Sequence, residues 1–418
     1  MGALFGVTFW TGLLTLFKMA IGFVITKFVA IYGGPSGVVL LGQLQAIVSA
    51  FNGVINSPVG SGIVRYTAEY HDRGFAACAP WWRAGVKYVI CIYFLMLVLL
   101  AFFSKDIASA FLSAESNYWL VLVAGACLPF TALGTLISSI VNGSKNYKRY
   151  VVIGLVSTFF SFLLMAALIY YNNIHGALLS VCLQYALVGV FSVLFVCKDC
   201  WFTPKNFFGN INRNHYMGVA SYISMAVVSA IALPTALLFI RNEMAAELGL
   251  VITGYWQAVW RISEVYLSFL TLALGVYYLP KLSSLGKKSE LLTEVKVTGR
   301  YVFFIAVIMA SVVYVFKDFI IVLLFSAEFL PAGSLFLLQL VGDCLKLNNW
   351  VYSFPMLARG AASWYISLEI FFAGIFWVSS FCLLNFTSLG VEAVLYSYIL
   401  VQAVCYIFLR AWLKNIIH

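Results

Sequence analysis

Apolar residues occur along this chain in runs of about 20, separated by short polar or charged segments. A helix of that length crosses the hydrocarbon core of a bilayer, whereas a membrane β-barrel alternates polar and apolar residues over about 10 positions. The pattern therefore predicts an all-α integral membrane protein with about twelve transmembrane spans. Their approximate limits are 7–31, 38–63, 84–103, 118–140, 150–171, 176–197, 217–240, 250–274, 300–324, 333–355, 364–384 and 390–411.

Composition supports this interpretation. Hydrophobic residues make up 63% of the 418 residues, and charged residues only 10%. Soluble domains carry roughly 45–50% apolar and about 25% charged residues. A soluble fold would have too little polar surface to cover such a core, so a soluble globular protein is excluded.

The basic residues predict the orientation. Eighteen of the 25 Lys and Arg lie in loops that would share one side with both termini, and three, Lys105, Arg241 and Lys317, lie in the opposite loops. Cytoplasmic loops of membrane proteins are enriched in Lys and Arg. We therefore expect cytoplasmic N- and C-termini. The net charge of +10 then describes a cytoplasmic rim rather than a nucleic-acid-binding surface.

The chain also repeats internally. A shift of 216 residues superimposes the fifth span on the eleventh and the sixth on the twelfth. This predicts two six-helix halves, 1–205 and 206–418, joined by the polar segment 198–215. Six spans per half make parallel repeats, and repeated halves with a site between them are typical of alternating-access transporters. A duplicated membrane protein that transports nothing remains the alternative.

Polar side chains recur every three or four residues on several spans, which places them on one helix face. Such a face lines either a tight helix interface or a water-filled cavity. The candidate cavity residues are Thr11 and Thr15 in span 1, Asn52 and Asn56 in span 2, Gln257 in span 8 and Gln339 in span 10, with a further stripe of Thr131, Thr135, Ser138 and Asn142 in span 4.

Lys18 lies about halfway along the first span, with no acid three or four residues away. A charge at the centre of a membrane helix costs roughly 2.5–3.5 kcal/mol on insertion scales. One interpretation is a hydrated cavity that receives an anion. The other is a distant acidic partner such as Glu264 or Asp343. Lys27, nearer the outer interface, can snorkel and has a structural interpretation.

Four further charged residues form two pairs, Arg261 with Glu264 and Asp343 with Lys346, each three residues apart. Each pair is able to meet on one helix face. Self-neutralisation and a substrate or proton-relay role are equally open. Glu369 has no partner nearby in sequence; it is either a protonatable site or a solvated residue near the cytoplasmic end of its span.

Enzyme signatures are absent from the sequence. The four histidines lack metal-ligand spacing, and no GxxxxGK[ST] phosphate loop occurs, so we expect no cofactor, no metal and no catalytic residue. A membrane polysaccharide polymerase or ligase is a weaker alternative, because the predicted outer loops are short. An ion-coupled multidrug extruder is another alternative, but its cavity should hold unpaired acids instead of an unpaired lysine.

Three segments, SGIVRYTAEYHD (61–72), GVYYLPKLSSL (275–285) and LVGDCLKLNNWVYSFPMLAR (340–359), resemble segments of Wzx-type lipid-linked oligosaccharide flippases. These belong to the multidrug/oligosaccharidyl-lipid/polysaccharide (MOP) exporter superfamily, and the resemblance is to its O-antigen translocase and enterobacterial common antigen lipid III flippase subgroup. It implies two pseudo-symmetric six-helix lobes arranged as a V around a central cavity. The implied substrate is an oligosaccharide on undecaprenyl diphosphate, moved from the cytoplasmic to the periplasmic leaflet of a bacterial inner membrane. Polymerase and chain-length proteins of the same pathway are further candidate partners.

The residues and the resemblance together give a site hypothesis. Lys18, Arg261 and Lys346, with Arg65 near the cytoplasmic entrance, would hold the diphosphate, while the polar stripes solvate the sugars. Without a nucleotide motif, transport would use substrate consumption, membrane potential or exchange of H⁺ or Na⁺. The candidates for ion coupling are Glu264, Asp343 and Glu369.

Overall fold

The computed structural model describes residues 2–112, 114–274, 278, 281–282, 288–358 and 362–415, and the regular elements in these ranges are helical. Short 3₁₀ segments join some of the helices. The helices are α1 (Gly2–Asn56), α2 (Ser61–Tyr70), α3 (Phe75–Phe111), α4 (Tyr118–Gly143), α5 (Tyr147–Val196), α6 (Pro204–Phe207), α7 (Arg213–Leu248), α8 (Leu250–Ala273), α9 (Lys288–Val315), α10 (Lys317–Leu324), α11 (Phe336–Ala358), α12 (Ala362–Phe386) and α13 (Glu392–Asn415).

Nine helical stretches within the described residues are long and apolar enough to cross a membrane. Two of them, which contain α1 and α5, bend sharply and each contains two predicted spans. Predicted span 8 coincides with α8, which is not among these nine stretches and contains the polar residues Gln257, Arg261 and Glu264. The predicted span 9 is divided, since α9 ends at Val315 and α10 begins at Lys317. The chain is an integral membrane protein, as predicted.

Both bends occur at residues with positive φ. Gly34 in α1 has φ 56° and ψ −160°, a conformation open to glycine because it has no Cβ, and Pro35 follows at the first position of the next helical segment. Asn173 in α5 has φ 47°, and asparagine tolerates this region better than most residues. Each bend divides a continuous apolar sequence into two helical segments, which correspond to two predicted spans.

The chain divides into two compact units. Unit 1 comprises residues 1–25 and 40–235, and unit 2 comprises residues 26–39 and 236–418. Helices α1 and α7 therefore contribute residues to both units. The predicted division at residues 205 and 206 was drawn from the sequence repeat and stays a prediction.

The helix bounds follow the 216-residue spacing. Shifting α4 by 216 positions gives 334–359, which overlaps α11, and shifting the first part of α5 gives a range that overlaps α12. The part of α5 after Asn173 shifts in the same way onto α13. The same order of helices is thus present twice in the chain.

Within unit 1, α4 and α5 approach closely through small residues. A Cβ built on Gly134 would lie 2.7 Å from the Cα of Gly189, so neither helix could carry a side chain at this contact without separating. Small residues allow such packing in membranes, where dispersion forces and close backbone contact replace the hydrophobic effect between helices.

The segment between residues 198 and 215, predicted as a linker, is anchored in unit 1. Trp201 and Phe207 are 6% and 9% exposed and pack against the buried Trp82 of α3. Nη2 of Arg83 donates to the backbone oxygen of Lys205 at 2.5 Å. The segment thus connects spans 6 and 7 while it covers the end of α3.

Within unit 2, polar contacts join helices at two levels. Lys27, which belongs to this unit, donates from Nζ to the backbone oxygen of Leu323 at 2.6 Å, at the end of α10. A cation at this position satisfies a carbonyl that has no partner within its own helix. Asn349 of α11 donates to both the backbone and the side-chain oxygen of Gln402 in α13, each at 2.8 Å.

Candidate functional site

Unit 1 contains a polar pocket of about 340 Å³. It lies among α1, α2, α4 and α5, and glycine, valine and tyrosine complete its wall. Its polar lining comprises Lys18, Asn56, Ser61, Thr131, Thr135, Ser138, Ser139 and Asn142. The predicted stripe on span 4 thus faces the same space as Lys18 and Asn56. Hydroxyl and amide groups of this kind can exchange hydrogen bonds with water or with sugar hydroxyls.

Lys18 is the positively charged residue among the described lining of this pocket, and its side chain is exposed. It forms no ion pair within the described residues. Since no carboxylate lines the described wall, the pocket presents one ammonium group among neutral donors and acceptors. Such a pocket favours an anion that also carries hydroxyl groups.

The other cavity candidates of unit 1 have different positions. Asn52 is 8% exposed and donates to the backbone oxygen of Val48 at 2.8 Å, so it contributes to the interior of α1. The side-chain oxygens of Asn52 and Asn56 are buried without a hydrogen-bond partner in the described part of the chain. Thr15 is half-buried, and the side chain of Thr11 lies outside the described residues.

Arg65 lies outside the polar pocket, on an aromatic surface of α2. Its guanidinium donates to the hydroxyl of Tyr222 and lies 5.6 Å from the ring centroid of Tyr66. Oε2 of Glu69 lies 4.0 Å from Nε of Arg65, and the side chains of Arg65 and Glu69 are 62% and 49% exposed. Arg65 therefore joins α2 to α7 within unit 1 and keeps contact with solvent.

Unit 2 holds a lysine surrounded by aromatic rings. Nζ of Lys346 lies 5.2 Å from the ring centroid of Trp260, 5.6 Å from Trp350 and 5.7 Å from Tyr398. Ring faces attract cations, most strongly where water is excluded. Lys346 forms no ion pair in the described ranges, although Asp343, Glu264 and Glu369 are near enough to interact with it electrostatically.

Asp343, fully buried in α11, has neutral partners instead of the lysine suggested by the sequence. Its oxygens accept hydrogen bonds from Tyr266 at 2.5 Å, Tyr398 at 2.9 Å and Gln339 at 3.1 Å. The self-neutralised pair with Lys346 does not form, because these donors occupy the carboxylate. Asp343 joins α8, α11 and α13, and Gln339 is 1% exposed in this network.

Arg261 and Glu264 do form the pair that their spacing allows, with Nη1 and Oε2 3.2 Å apart. Glu264 also accepts a hydrogen bond from Nε1 of Trp260 at 2.9 Å. Glu369, for which the sequence indicated no local partner, is hydrogen-bonded to Tyr365 one turn earlier. The two glutamates and Lys346 therefore belong to one charged cluster, with Trp260 between Glu264 and Lys346.

The prediction that Arg241 lies in an outer loop is wrong. Helix α7 continues to Leu248, and Arg241 is 3% exposed within unit 2. Its Nε donates to Oε1 of Gln257 at 2.6 Å, while Nη1 is buried without a partner among the described residues. Gln257, predicted to line a cavity, is 3% exposed and holds this arginine instead.

Both curated proteins and solved structures are similar to this chain. The lipid III flippase of Escherichia coli strain K12 is 27% identical over 369 residues, 86% of each chain, and that of Shigella flexneri gives the same values. No family model matches the chain. An inward-facing multidrug-resistance MATE transporter of the MOP superfamily has a TM-score of 0.78 at 14% identity, covering 96% of this chain and 95% of that one. A MOP transporter from Pyrococcus furiosus, described as having a binding pocket of reversed polarity, has a TM-score of 0.68 at 16% identity, covering 98% and 95%.

The chain has the fold of the MOP superfamily. Its proteins have twelve helices in two lobes, so the predicted fold class is confirmed, and the resemblance to the MOP flippases is confirmed by the curated relatives. These relatives are named flippase and the structural neighbours transporter, and this MOP-fold protein is a transporter rather than an enzyme.

Proposed function

We propose that this transporter is a flippase for an oligosaccharide linked to undecaprenyl diphosphate, and that Lys18 binds the diphosphate. The observation that carries the proposal is the polar pocket of unit 1, where an exposed lysine lies among hydroxyl and amide groups with no acid in the described lining. A lipid-linked sugar presents the complementary chemistry: an anionic diphosphate beside many hydroxyl groups.

Magnitudes support an anionic ligand. A lone mid-membrane lysine costs roughly 2.5–3.5 kcal/mol. Attraction to one phosphate charge at about 4 Å is worth roughly 4 kcal/mol at an effective dielectric constant of 20. An anion in the pocket would therefore offset the cost of Lys18. A cationic drug would increase it, and this disfavours a multidrug extruder.

The substrate class also rests on the named relatives. A lipid III flippase handles a lipid-linked oligosaccharide, and the two curated relatives cover 86% of this chain. Lipid III and an O-antigen unit both fit the pocket chemistry. From the distribution of Lys and Arg we further propose cytoplasmic termini. The bacterial relatives support an inner-membrane location with transport toward the periplasmic leaflet, and the repeated halves support alternating access.

We assign the charged cluster of unit 2 to the driving force. Glu264 and Glu369 retain partial exposure, whereas Asp343 is fully buried among neutral donors. Of the three acids, the two glutamates are therefore the preferred sites for an exchanged H⁺ or Na⁺, with Asp343 the third candidate. Lys346 would respond to the charge of these acids, because it interacts with all of them without a direct ion pair.

The test is flipping of a headgroup-labelled polyprenyl-diphosphate oligosaccharide in proteoliposomes. Lys18→Gln should lower the rate at least tenfold, and Lys18→Arg should restore most of it. Lys27→Gln is the matched control, since Lys27 lies on the same helix but binds a carbonyl. Wild-type flipping by Lys18→Gln at equal protein amounts would contradict the assignment. A flipping rate that does not change with imposed pH or sodium gradients would exclude coupling of transport to H⁺ or Na⁺.

A further inference from the structure

A second basic pocket, of about 520 Å³, lies within unit 2 between α9, α11 and α13. Lys296 and Arg300 of α9 and Arg410 of α13 line it, and all three side chains are exposed. No acid is among the described residues of the lining, and none of the three cations forms an ion pair in the described part of the chain. Three uncompensated cations at one pocket favour an anionic occupant.

The same pocket offers an unused acceptor. The side-chain oxygen of Asn348 is buried without a hydrogen-bond partner among the described residues. Next to it, the rings of Tyr352 and Tyr406 meet edge to face at 5.3 Å. A buried acceptor needs a donor, so the occupant should carry a hydroxyl group near its negative charge.

An apolar groove of about 480 Å³ adjoins the basic pocket. Phe303 and Leu345 line both, and the groove continues along α9 and α11 as far as Val315. From Arg300 to Val315 the axis of α9 rises roughly 22 Å. The hydrocarbon part of one leaflet is about 15 Å thick, so the groove is long enough for an extended acyl chain.

We propose that this groove is a binding site for an anionic glycerophospholipid of the phosphatidylglycerol type. Its phosphate would bind Lys296, Arg300 and Arg410, a headgroup hydroxyl would donate to Asn348, and one acyl chain would follow the apolar groove. Basic pockets between membrane helices bind anionic headgroups in this way. This site is separate from the polar pocket of Lys18 and from the cluster around Lys346.

This pocket is specific to the second half of the chain, and its apolar groove favours a bilayer lipid over the transported substrate. Positions 216 residues before Asn348, Tyr352 and Arg410 carry Ala132, Leu136 and Leu194. The first half therefore lacks the basic and polar groups of this pocket. In addition, the groove beyond Phe303 is lined by apolar residues with few polar ones, which would not pass a sugar chain.

The test is native mass spectrometry of the delipidated full chain in detergent, titrated separately with phosphatidylglycerol, phosphatidylcholine, polyprenyl monophosphate and inorganic phosphate. Phosphatidylglycerol should form an adduct at a concentration at least tenfold lower than each of the others. Arg300→Gln should weaken that adduct about fivefold, the equivalent of about 1 kcal/mol per surface cation. Arg300→Lys should retain most of it.

One further variant tests binding of the acyl chain, and a second is a control for the loss of a surface cation. Ser311→Trp fills the apolar groove from an exposed position without changing charge, and should also weaken the phosphatidylglycerol adduct. Lys105→Gln removes an exposed cation of unit 1 and should change nothing. Equal binding of phosphatidylcholine, preferred binding of polyprenyl phosphate, or unchanged binding by Ser311→Trp would each overturn the proposal. Because Lys18 is remote in sequence and absent from this lining, Lys18→Gln should bind the phospholipid normally.

Discussion

Nε of Arg241 lies 2.6 Å from Oε1 of Gln257, and this hydrogen bond joins α7 to α8 in the interior of unit 2. The arginine is 3% exposed, and its interactions with Glu264 and Arg261 make it part of the charged cluster. A buried guanidinium is tolerated only where acceptors replace its water. Gln257 is therefore the residue that makes an arginine at this depth possible.

Substitution of Gln257, the acceptor, should destabilise the protein more than substitution of Arg241, the cation. Gln257→Leu leaves Arg241 charged and without its hydrogen bond, and should destabilise the protein by about 1–3 kcal/mol. Arg241→Met removes the charge together with its need for an acceptor and should cost less. Unfolding by titration with sodium dodecyl sulfate in mixed micelles measures both. Equal losses would show that Gln257 does not compensate the charge.

The aromatic cage of Lys346 predicts an energetic coupling. In a double-mutant cycle, Trp260→Leu and Lys346→Met should show a coupling of about 0.5–2 kcal/mol, the range for a cation over a ring. Trp260 also packs against Phe376, a contact that does not involve charge. The cycle of Trp260→Leu with Phe376→Leu measures, for comparison, the coupling energy of a contact between two uncharged rings.

Trp260→Phe distinguishes the contact of the ring with Lys346 from the hydrogen bond to Glu264. It keeps a ring beside Lys346 but loses the N–H that donates to Glu264. Stability should fall less than in Trp260→Leu, while the response of transport to an ion gradient should change if Glu264 is the coupling site. A cycle with no coupling between Trp260 and Lys346 would argue against the cage as a cation site.

The spans and their approximate ends could be predicted because bilayer thickness and helix rise fix the length of an apolar run. Lys18 could be singled out for the same reason, since a charge inside such a run is conspicuous. Arg241 could not, because it follows the apolar run directly and resembles a loop residue. The helix-forming residues Ala245, Ala246 and Leu248 were the signal that α7 continues.

Partners across helices were the least predictable part of the site. Spacing correctly indicated Arg261 with Glu264, because both lie on one helix and three residues bring them together. The same rule failed for Asp343 and Lys346. Tyr266 and Tyr398 come from distant parts of the chain and occupy the carboxylate. No local pattern encodes which side chains tertiary packing brings to a buried group.

The anchored segment after α5 predicts a contrast between two neighbouring aromatic residues. Trp201→Ala should destabilise the protein by about 3 kcal/mol or more, the usual cost of removing a large buried ring. Phe208→Ala should be close to neutral, because Phe208 is 58% exposed. Thermal denaturation of the two purified variants makes the comparison. Similar melting temperatures would mean that the segment does not stabilise unit 1.

Chemical labelling can test the proposed orientation, since Cys197 and Cys200 are exposed at the end of α5. A variant that retains only Cys200 should react with a membrane-impermeant maleimide in inverted inner-membrane vesicles but not in intact spheroplasts, because the basic loops are expected in the cytoplasm. A second variant carries only Thr387→Cys, an exposed position between α12 and α13, and should show the opposite pattern. The two positions are separated by five predicted spans, 7 to 11, and an odd number of spans places them on opposite sides of the membrane. Labelling of both cysteines from the same side would therefore contradict the predicted spans between them, and the reverse of the expected pattern would contradict the orientation.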